Sequence, residues 1–186
     1  MENNKKIILG IIGEISAGKD TLAEYLKLKH NATHYRFSEP LRDILVRLHI
    51  EINRHNLQNL STMLRQLFGQ NVLAKTICED FKNGVNMAVI TGIRRPGDVD
   101  YFFNMPNFKL LYVTADIKIR YSRMLRRKEN NDDNYKTFEE FIEDNKAEAE
   151  LQIPLVSQKA DFTIDNSGTL EELYIKIDQI ITNLLK

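Results

Sequence analysis

Small residues crowd one short stretch near the start of the chain, Gly13-Glu14-Ile15-Ser16-Ala17-Gly18, and Lys19, Asp20 and Thr21 follow directly. Gly13, Ser16, Ala17 and Gly18 let a backbone curl until successive N–H groups converge, which makes a cradle for phosphate oxygens. A helix beginning near Lys19 adds its positive end at the same place, and the lysine brings a full charge to the outer phosphates of a nucleotide. The chemistry implied is the use of ATP or GTP. Loops of this kind usually carry Ser or Thr directly after the lysine to hold magnesium, whereas Asp20 stands there in this chain and Thr21 comes one step later. Asp20 is therefore a candidate magnesium ligand, directly or through water, and Thr21 a candidate for the inner phosphate and the metal.

Arginines form the second group. Arg42, Arg65, Arg94 and Arg95 come from three separate segments, and the planar guanidinium fork suits bidentate binding of a phosphate monoester. Ordinary surface placement is the alternative for each. A further basic cluster, Lys118, Arg120, Arg123, Arg126, Arg127 and Lys128, runs into a polar stretch over residues 128–134. It reads as the hinge of a lid, because phosphoryl transfer consists of positioning and charge neutralisation, and lid arginines deliver that charge while excluding water. Helical spacing puts Arg120, Arg123 and Arg127 on one face and turns Tyr121, Met124 and Leu125 toward the body. A solvated basic face beside the acidic stretch 139–150 is the other reading.

No carboxylate ends the run Val89-Ile90-Thr91, where many phosphate-loop enzymes carry a magnesium-linked aspartate, which argues against a fast water-activating ATPase. An acceptor that is already a phosphate oxygen anion needs little help from a general base. Glu14, Glu39, Asp43 and Asp98 remain near the expected cleft, with Glu39 and Asp43 either touching the acceptor or capping a helix. The four histidines, His30, His34, His49 and His55, lack the spacing of metal ligands.

These side chains need a frame. The apolar run Ile7-Ile8-Leu9-Gly10-Ile11-Ile12 precedes the loop, and four more short apolar runs, at 34–37, 87–91, 110–114 and 162–165, alternate with helical patterns. That alternation predicts a parallel sheet covered by helices on both faces. The last helix is marked by Leu170, Leu173, Tyr174, Ile177, Ile180, Ile181 and Leu184 at helical spacing, with Thr169 as its N-cap. Two or three helices fill residues 41 to 81, an insertion of the kind that shapes a substrate site. Ligands of open parallel sheets lie outside the carboxyl ends of the strands, which gathers residues 13–21, 37–42, 91–95, 115–116 and 166–169 around one cleft.

The length of 186 residues fits one domain, and the 26 basic residues balance 26 acidic ones, leaving no global field to recruit nucleic acid or membrane. The single cysteine, Cys78, excludes an internal disulfide framework and reads as a buried thiol. The apolar N-terminal run is too short to span a bilayer and is followed by no cleavage-type segment, so the expected location is cytoplasmic. Oligomeric state is not encoded in any pattern here.

The sequence Gly18-Lys19-Asp20-Thr21-Leu22-Ala23-Glu24-Tyr25-Leu26, with Phe37-Ser38-Glu39-Pro40-Leu41-Arg42-Asp43 and Leu64-Arg65-Gln66-Leu67-Phe68-Gly69, resembles the P-loop nucleoside monophosphate kinase superfamily. The likeness lies near bacteriophage-type deoxynucleoside monophosphate kinases and the dephospho-CoA kinase and archaeal adenylate-kinase-like group. Residues 92–99 resemble the arginine segment after the third strand in both groups, and residues 160–173 the base-side closing segment of dephospho-CoA kinases. The aspartate that dephospho-CoA kinases carry after the second strand is replaced here by Ser38-Glu39.

The resemblance implies a three-layer α/β/α P-loop fold over residues 1–186, with a five-stranded parallel sheet, an acceptor-binding helical insertion at about 39–83 and a short lid at about 126–137. It implies ATP as donor, magnesium as cofactor, and a (deoxy)nucleoside monophosphate as acceptor. ATP is expected at Gly13, Ser16, Ala17, Gly18, Lys19, Asp20 and Thr21, with Arg123, Asn166 and Gly168 on the adenine side. The acceptor is expected at Glu39, Arg42, Asp43, Arg65, Arg94 and Arg95, with Lys19, Arg94, Arg123 and Arg127 acting on the transferring group. A dephospho-CoA kinase, or a regulatory or slow ATPase module, are the alternatives.

Overall fold

The computed structural model describes residues 6–81, 86–127, 135–146 and 151–185, without the side chain of Arg54. The polar stretch 128–134 and most of the expected lid, Lys128 included, lie outside the described residues, as does the end of the acidic stretch at 147–150. Five parallel strands lie in the order β2-β3-β1-β4-β5. They are β1 (Ile7–Ile12), β2 (Thr33–Arg36), β3 (Met87–Thr91), β4 (Phe108–Thr114) and β5 (Phe162–Asp165).

The central strands read as unbroken apolar runs because helices cover both faces of a parallel sheet. All six residues of β1 and all five of β3 are buried. Side chains alternate across the sheet. Ile8, Ile12, Ile90 and Leu110 join one core with the helices α2 (Glu39–Arg47), α3 (Arg54–Phe68), α4 (Val72–Asp80) and α5 (Pro96–Phe103). Leu9, Ile11, Val89, Leu111 and Val113 face the other way, against α1 (Lys19–His30) and the C-terminal helix (Leu170–Leu185). The result is the expected three layers.

Between β4 and β5 run α6 (Ile117–Arg127), α7 (Phe138–Asp144) and α8 (Ile153–Ser157), and the C-terminal helix is α9. Its expected cap is present as a reciprocal pair: Thr169 N–H donates to Glu172 Oε2 at 3.0 Å, and Glu172 N–H to Thr169 Oγ1 at 3.2 Å. Leu173, Ile177 and Ile181 form its buried stripe, whereas Leu170 is exposed. The expected 34–37 strand begins and ends one residue earlier, because β2 is an edge strand whose Thr33 faces solvent, so its apolar pattern is weak. β4 extends two residues further toward its start than the sequence implied. Phe102 lies in the core, stacked on Phe108 at 5.3 Å, while its neighbour Phe103 is partly exposed. Among the described residues no helix is long and apolar enough to cross a membrane.

The order places β1 between β3 and β4, so the chain leaves the carboxyl end of β1 where connections run to opposite sides. Ligands of such sheets bind there.

Candidate functional site

The loop from β1 to α1 is shaped by close approaches that only glycine permits. A Cβ on Gly13 would lie 2.0 Å from the Val113 carbonyl oxygen, so the loop can pass over β4 only with a hydrogen at this position. Gly18 has φ 106° and is the residue before α1, and a Cβ there would strike the Asn166 amide at 2.3 Å. That amide donates to the Ala17 carbonyl at 2.8 Å and pins the loop from behind. Ser16 sits at φ 59° with 8% exposure, and its Oγ is buried without a partner among the described residues. No side chain caps α1 at Gly18, which leaves its leading N–H groups for an anion. Lys19 Nζ spans the loop, donating to the carbonyls of Gly13 and Glu14 at 2.7 Å each.

A cleft of about 590 Å³ opens beside this loop. Ser16, Lys19 and Asp20 line it from the loop and α1, Arg42 from α2, Arg65 from α3, Arg94 and Arg95 from the turn after β3, and Arg127 from the end of α6. The strands' carboxyl ends thus bring together the charged groups that the sequence had assigned to one place. Asp20 stands between two cations, with Arg127 at 3.5 Å and Arg36 at 3.6 Å.

Packing sets other expected residues apart from the cleft or engages them elsewhere. Asp43 is exposed and does not line the cleft, because α2 buries Leu41 and Leu45, and the turn of about 100° between successive residues that puts Arg42 on the cleft side carries Asp43 past it. Glu39 lies on a neighbouring groove, where its carboxylate accepts the Arg36 backbone N–H at 3.2 Å. Thr21, at the start of α1, is exposed and is not among the residues lining the cleft. Arg65 reaches the cleft wall, but its guanidinium is already engaged. It donates to both Asp98 oxygens at 2.8 and 3.0 Å and also to the Gln70 carbonyl. Asp98, 1% exposed, is therefore not an available acid. Burial pushes its carboxyl up, against the opposing pull of Arg65 and Arg95.

Arg120 does not belong to a basic lid face. It is 7% exposed, and its guanidinium donates to the carbonyls of Ala115 and Ile15 at 3.1 and 3.2 Å and to Asn145 Oδ1 at 2.8 Å. With Met124 one turn later it forms the body side of α6 and fastens that helix to the phosphate loop. Arg123 donates to the Asn166 carbonyl at 2.8 Å, and Asn166 in turn holds Ala17. Burial pulls the Arg123 guanidinium below its usual value. These two expected adenine-side residues form a chain from α6 to the loop, and neither they nor Gly168 line the 590 Å³ cleft.

Three features escaped the sequence. Arg36 ends β2 inside the cleft, and its position at the carboxyl end of a strand is the signal that could have revealed it. His34, on the neighbouring groove, has its Nε2 2.8 Å from the Oγ1 of the cleft residue Thr91, and burial followed by the Arg36 charge lowers the imidazole from its ordinary 6.5. The Tyr112 hydroxyl donates to Glu14 under the loop, and burial with that carboxylate pushes it up.

Asp20 supplies the hard oxygen that magnesium prefers, and it stands one residue beyond Lys19 on the cleft wall. No cluster of three His, Cys, Asp or Glu side chains able to hold an ion exists among the described residues. An ion here would rest on Asp20, water and a nucleotide's own phosphates.

No known protein-family profile matches the chain. The solved structure of TT1252 from Thermus thermophilus superposes with TM-score 0.62 at 18% identity, covering 98% of this chain and 100% of that one. Shikimate kinase from Bacteroides thetaiotaomicron gives 0.61 at 15% identity over 96% and 98% of the two chains. The fold is that of the P-loop kinases. Shikimate kinase from Acinetobacter baumannii, in complex with shikimate, gives 0.58 at 16% identity over 98% and 97% of the two chains. In sequence, the chain is similar to archaeal proteins described as UPF0200. It is 29% identical to that of Saccharolobus islandicus over 185 residues, 97% of this chain and 95% of the relative. It is 25% identical to that of Staphylothermus marinus over 182 residues, 98% and 95% respectively. It also matches the UPF0200/UPF0201 protein of Archaeoglobus fulgidus at 25% over 184 residues, but spans 56% of that protein's length.

Proposed function

We propose that the protein transfers the γ-phosphoryl group of ATP to the phosphate of a (deoxy)nucleoside monophosphate. The observation that carries this reading is the cleft's charge: Arg36, Arg42, Arg94, Arg95 and Arg127 line it beside Lys19 in a chain whose net charge is zero. Such a concentration of cations suits two phosphorylated substrates facing each other.

The carboxylates support the same choice. Among the described residues those lining the cleft are Asp20, Asp98 and Asp144, and each is paired with a cation: Asp20 with Arg36 and Arg127, Asp98 with Arg65, Asp144 with Lys136 at 2.6 Å. A hydroxyl acceptor, as in shikimate or dephospho-CoA, calls for a general base in the cleft. A phosphate acceptor is already an anion and asks only for orientation and charge.

In this reading the loop amides and Lys19 hold the β- and γ-phosphates, with the Lys19 ammonium leaving the Gly13 and Glu14 carbonyls for phosphate oxygens. Arg42 and the Arg94-Arg95 turn orient the acceptor phosphate, and Arg65 braces that wall through Asp98. Arg127 approaches from the lid side. Magnesium would be held by Asp20 and would neutralise charge on the donor phosphates. Asn166 and Arg123 support the loop behind the donor.

The test is Lys19→Ala. Turnover is expected to fall by at least about 100-fold, as for loss of a cation from a developing phosphoryl charge, with the melting temperature little changed. Undiminished turnover in a folded variant would reject the assignment.

A further inference from the structure

Arg36 differs from the other cleft arginines in where it stands. It is the last residue of β2, paired in register with Thr91, which ends β3 one residue before the turn that carries Arg94 and Arg95. Across the cleft it meets Asp20, the residue after the phosphate-loop lysine. Its guanidinium therefore lies between the donor loop and the acceptor wall.

Two further observations show a cation with unused capacity. The pair with Asp20 measures 3.6 Å, well beyond the roughly 2.7–2.9 Å of a charge-assisted hydrogen bond. The Nε of Arg36 is buried and has no partner among the described residues. The side chain as a whole is 42% exposed, so the cost of a donor without an acceptor falls on this one inward-facing nitrogen unless a ligand satisfies it. The same carboxylate is approached from the opposite wall by Arg127 at 3.5 Å, so Asp20 marks a point where positive charge converges from two sides.

We propose that Arg36 is a catalytic residue that binds the phosphoryl group in transit, with Asp20 holding its side chain across the cleft beforehand. This rests on the phosphoryl-transfer reading above. The bond from the γ-phosphorus to the β–γ bridging oxygen breaks, and its electron pair stays on the β-phosphate of the departing ADP. A bond from the γ-phosphorus to an acceptor phosphate oxygen forms, with no oxidant or added base required. As the group passes in line between leaving and attacking oxygens its charge is spread over three equatorial oxygens, and a planar fork is shaped to meet two of them. Arg36 thus acts on the group that moves, while Arg42, Arg94 and Arg95 hold the partner that receives it.

The test uses ADP and magnesium with and without aluminium fluoride, a planar anionic mimic of the phosphoryl group, binding being read by calorimetry on the whole protein. ADP affinity of Arg36→Met should stay within about threefold of the unaltered protein, whereas the tightening produced by aluminium fluoride should drop by roughly 10- to 100-fold. Arg36→Lys keeps the charge without the fork, should recover part of the tightening, and decides the matter if the methionine variant fails to fold. Equal tightening in the variants and the unaltered protein would overturn the role of Arg36 while leaving the nucleotide site standing. Absence of ADP binding by the unaltered protein would overturn both readings. In turnover assays the loss should fall on kcat with KM for ATP nearly constant; a loss confined to KM would contradict the proposal.

Discussion

Replacing Asp98 with alanine would strand Arg65 in a site where its side chain is 5% exposed. Both bonds to the carboxylate, at 2.8 and 3.0 Å, would be lost. The Gln70 carbonyl and Ser61 Oγ, the latter at 3.3 Å, would remain as acceptors. Breaking a buried ion pair by removing one partner costs about 3–5 kcal/mol, because the survivor is an uncompensated charge, and the remaining acceptors argue for the lower end. At 2–4 °C per kcal/mol for a chain of this size, the melting temperature should fall by roughly 10 °C. Arg65→Met should cost a similar amount for the converse reason. The double variant, Arg65→Met with Asp98→Leu, removes both charges and both desolvation costs, so it should lie within about 1 kcal/mol of the unaltered protein. Urea unfolding of the four proteins, with slopes compared to check two-state behaviour, measures the coupling. Single variants that each cost under about 1 kcal/mol, or a double variant equal to their sum, would refute the idea that this pair couples α3 to α5.

Two more outcomes follow from the geometry. His34 has its pKa lowered by burial and then by Arg36, so the folded state favours the neutral ring; its contribution is present above about pH 6.5 and is lost as pH falls through the lowered folded value. Urea midpoints from about pH 8 to 5 should therefore slope downward toward acid, and His34→Asn should flatten that slope; an unchanged slope would contradict the account. In Gly13→Ala the new Cβ would meet the Val113 carbonyl at 2.0 Å, and since backbone cannot yield cheaply, affinity for a fluorescent ATP analogue should fall at least about tenfold. Binding at the original strength would show that the loop does not need this close approach.

The fold was legible where burial is symmetric. β1 and β3 are covered on both faces and so appear as continuous apolar runs, and the Gly13-to-Lys19 spacing gains its meaning from sitting between β1 and a helix. Edge strand β2 was harder, because Thr33 is exposed and the remaining positions only half-buried, which blurs its boundary and concealed Arg36 at its end. Glu39 and Asp43 stand off the arginine cleft for a different reason: local sequence gives the turn of α2 but not the angle at which its Leu41–Leu45 face meets the sheet. Arg120 shows the deepest limit. This cation joins the body because acceptors from distant segments, Ile15 and Asn145, converge on it with the nearby Ala115 carbonyl, and no spacing within α6 records them.

The identity of the phosphoryl acceptor decides the proposed activity. It is tested most directly by mixing the protein with ATP and magnesium and each ribo- and deoxyribonucleoside monophosphate, shikimate or dephospho-CoA, with ADP release followed and products identified by mass. The account predicts a diphosphate product from at least one nucleoside monophosphate and none from the hydroxyl acceptors. ADP release that no monophosphate accelerates, or product only from a hydroxyl acceptor, would contradict it.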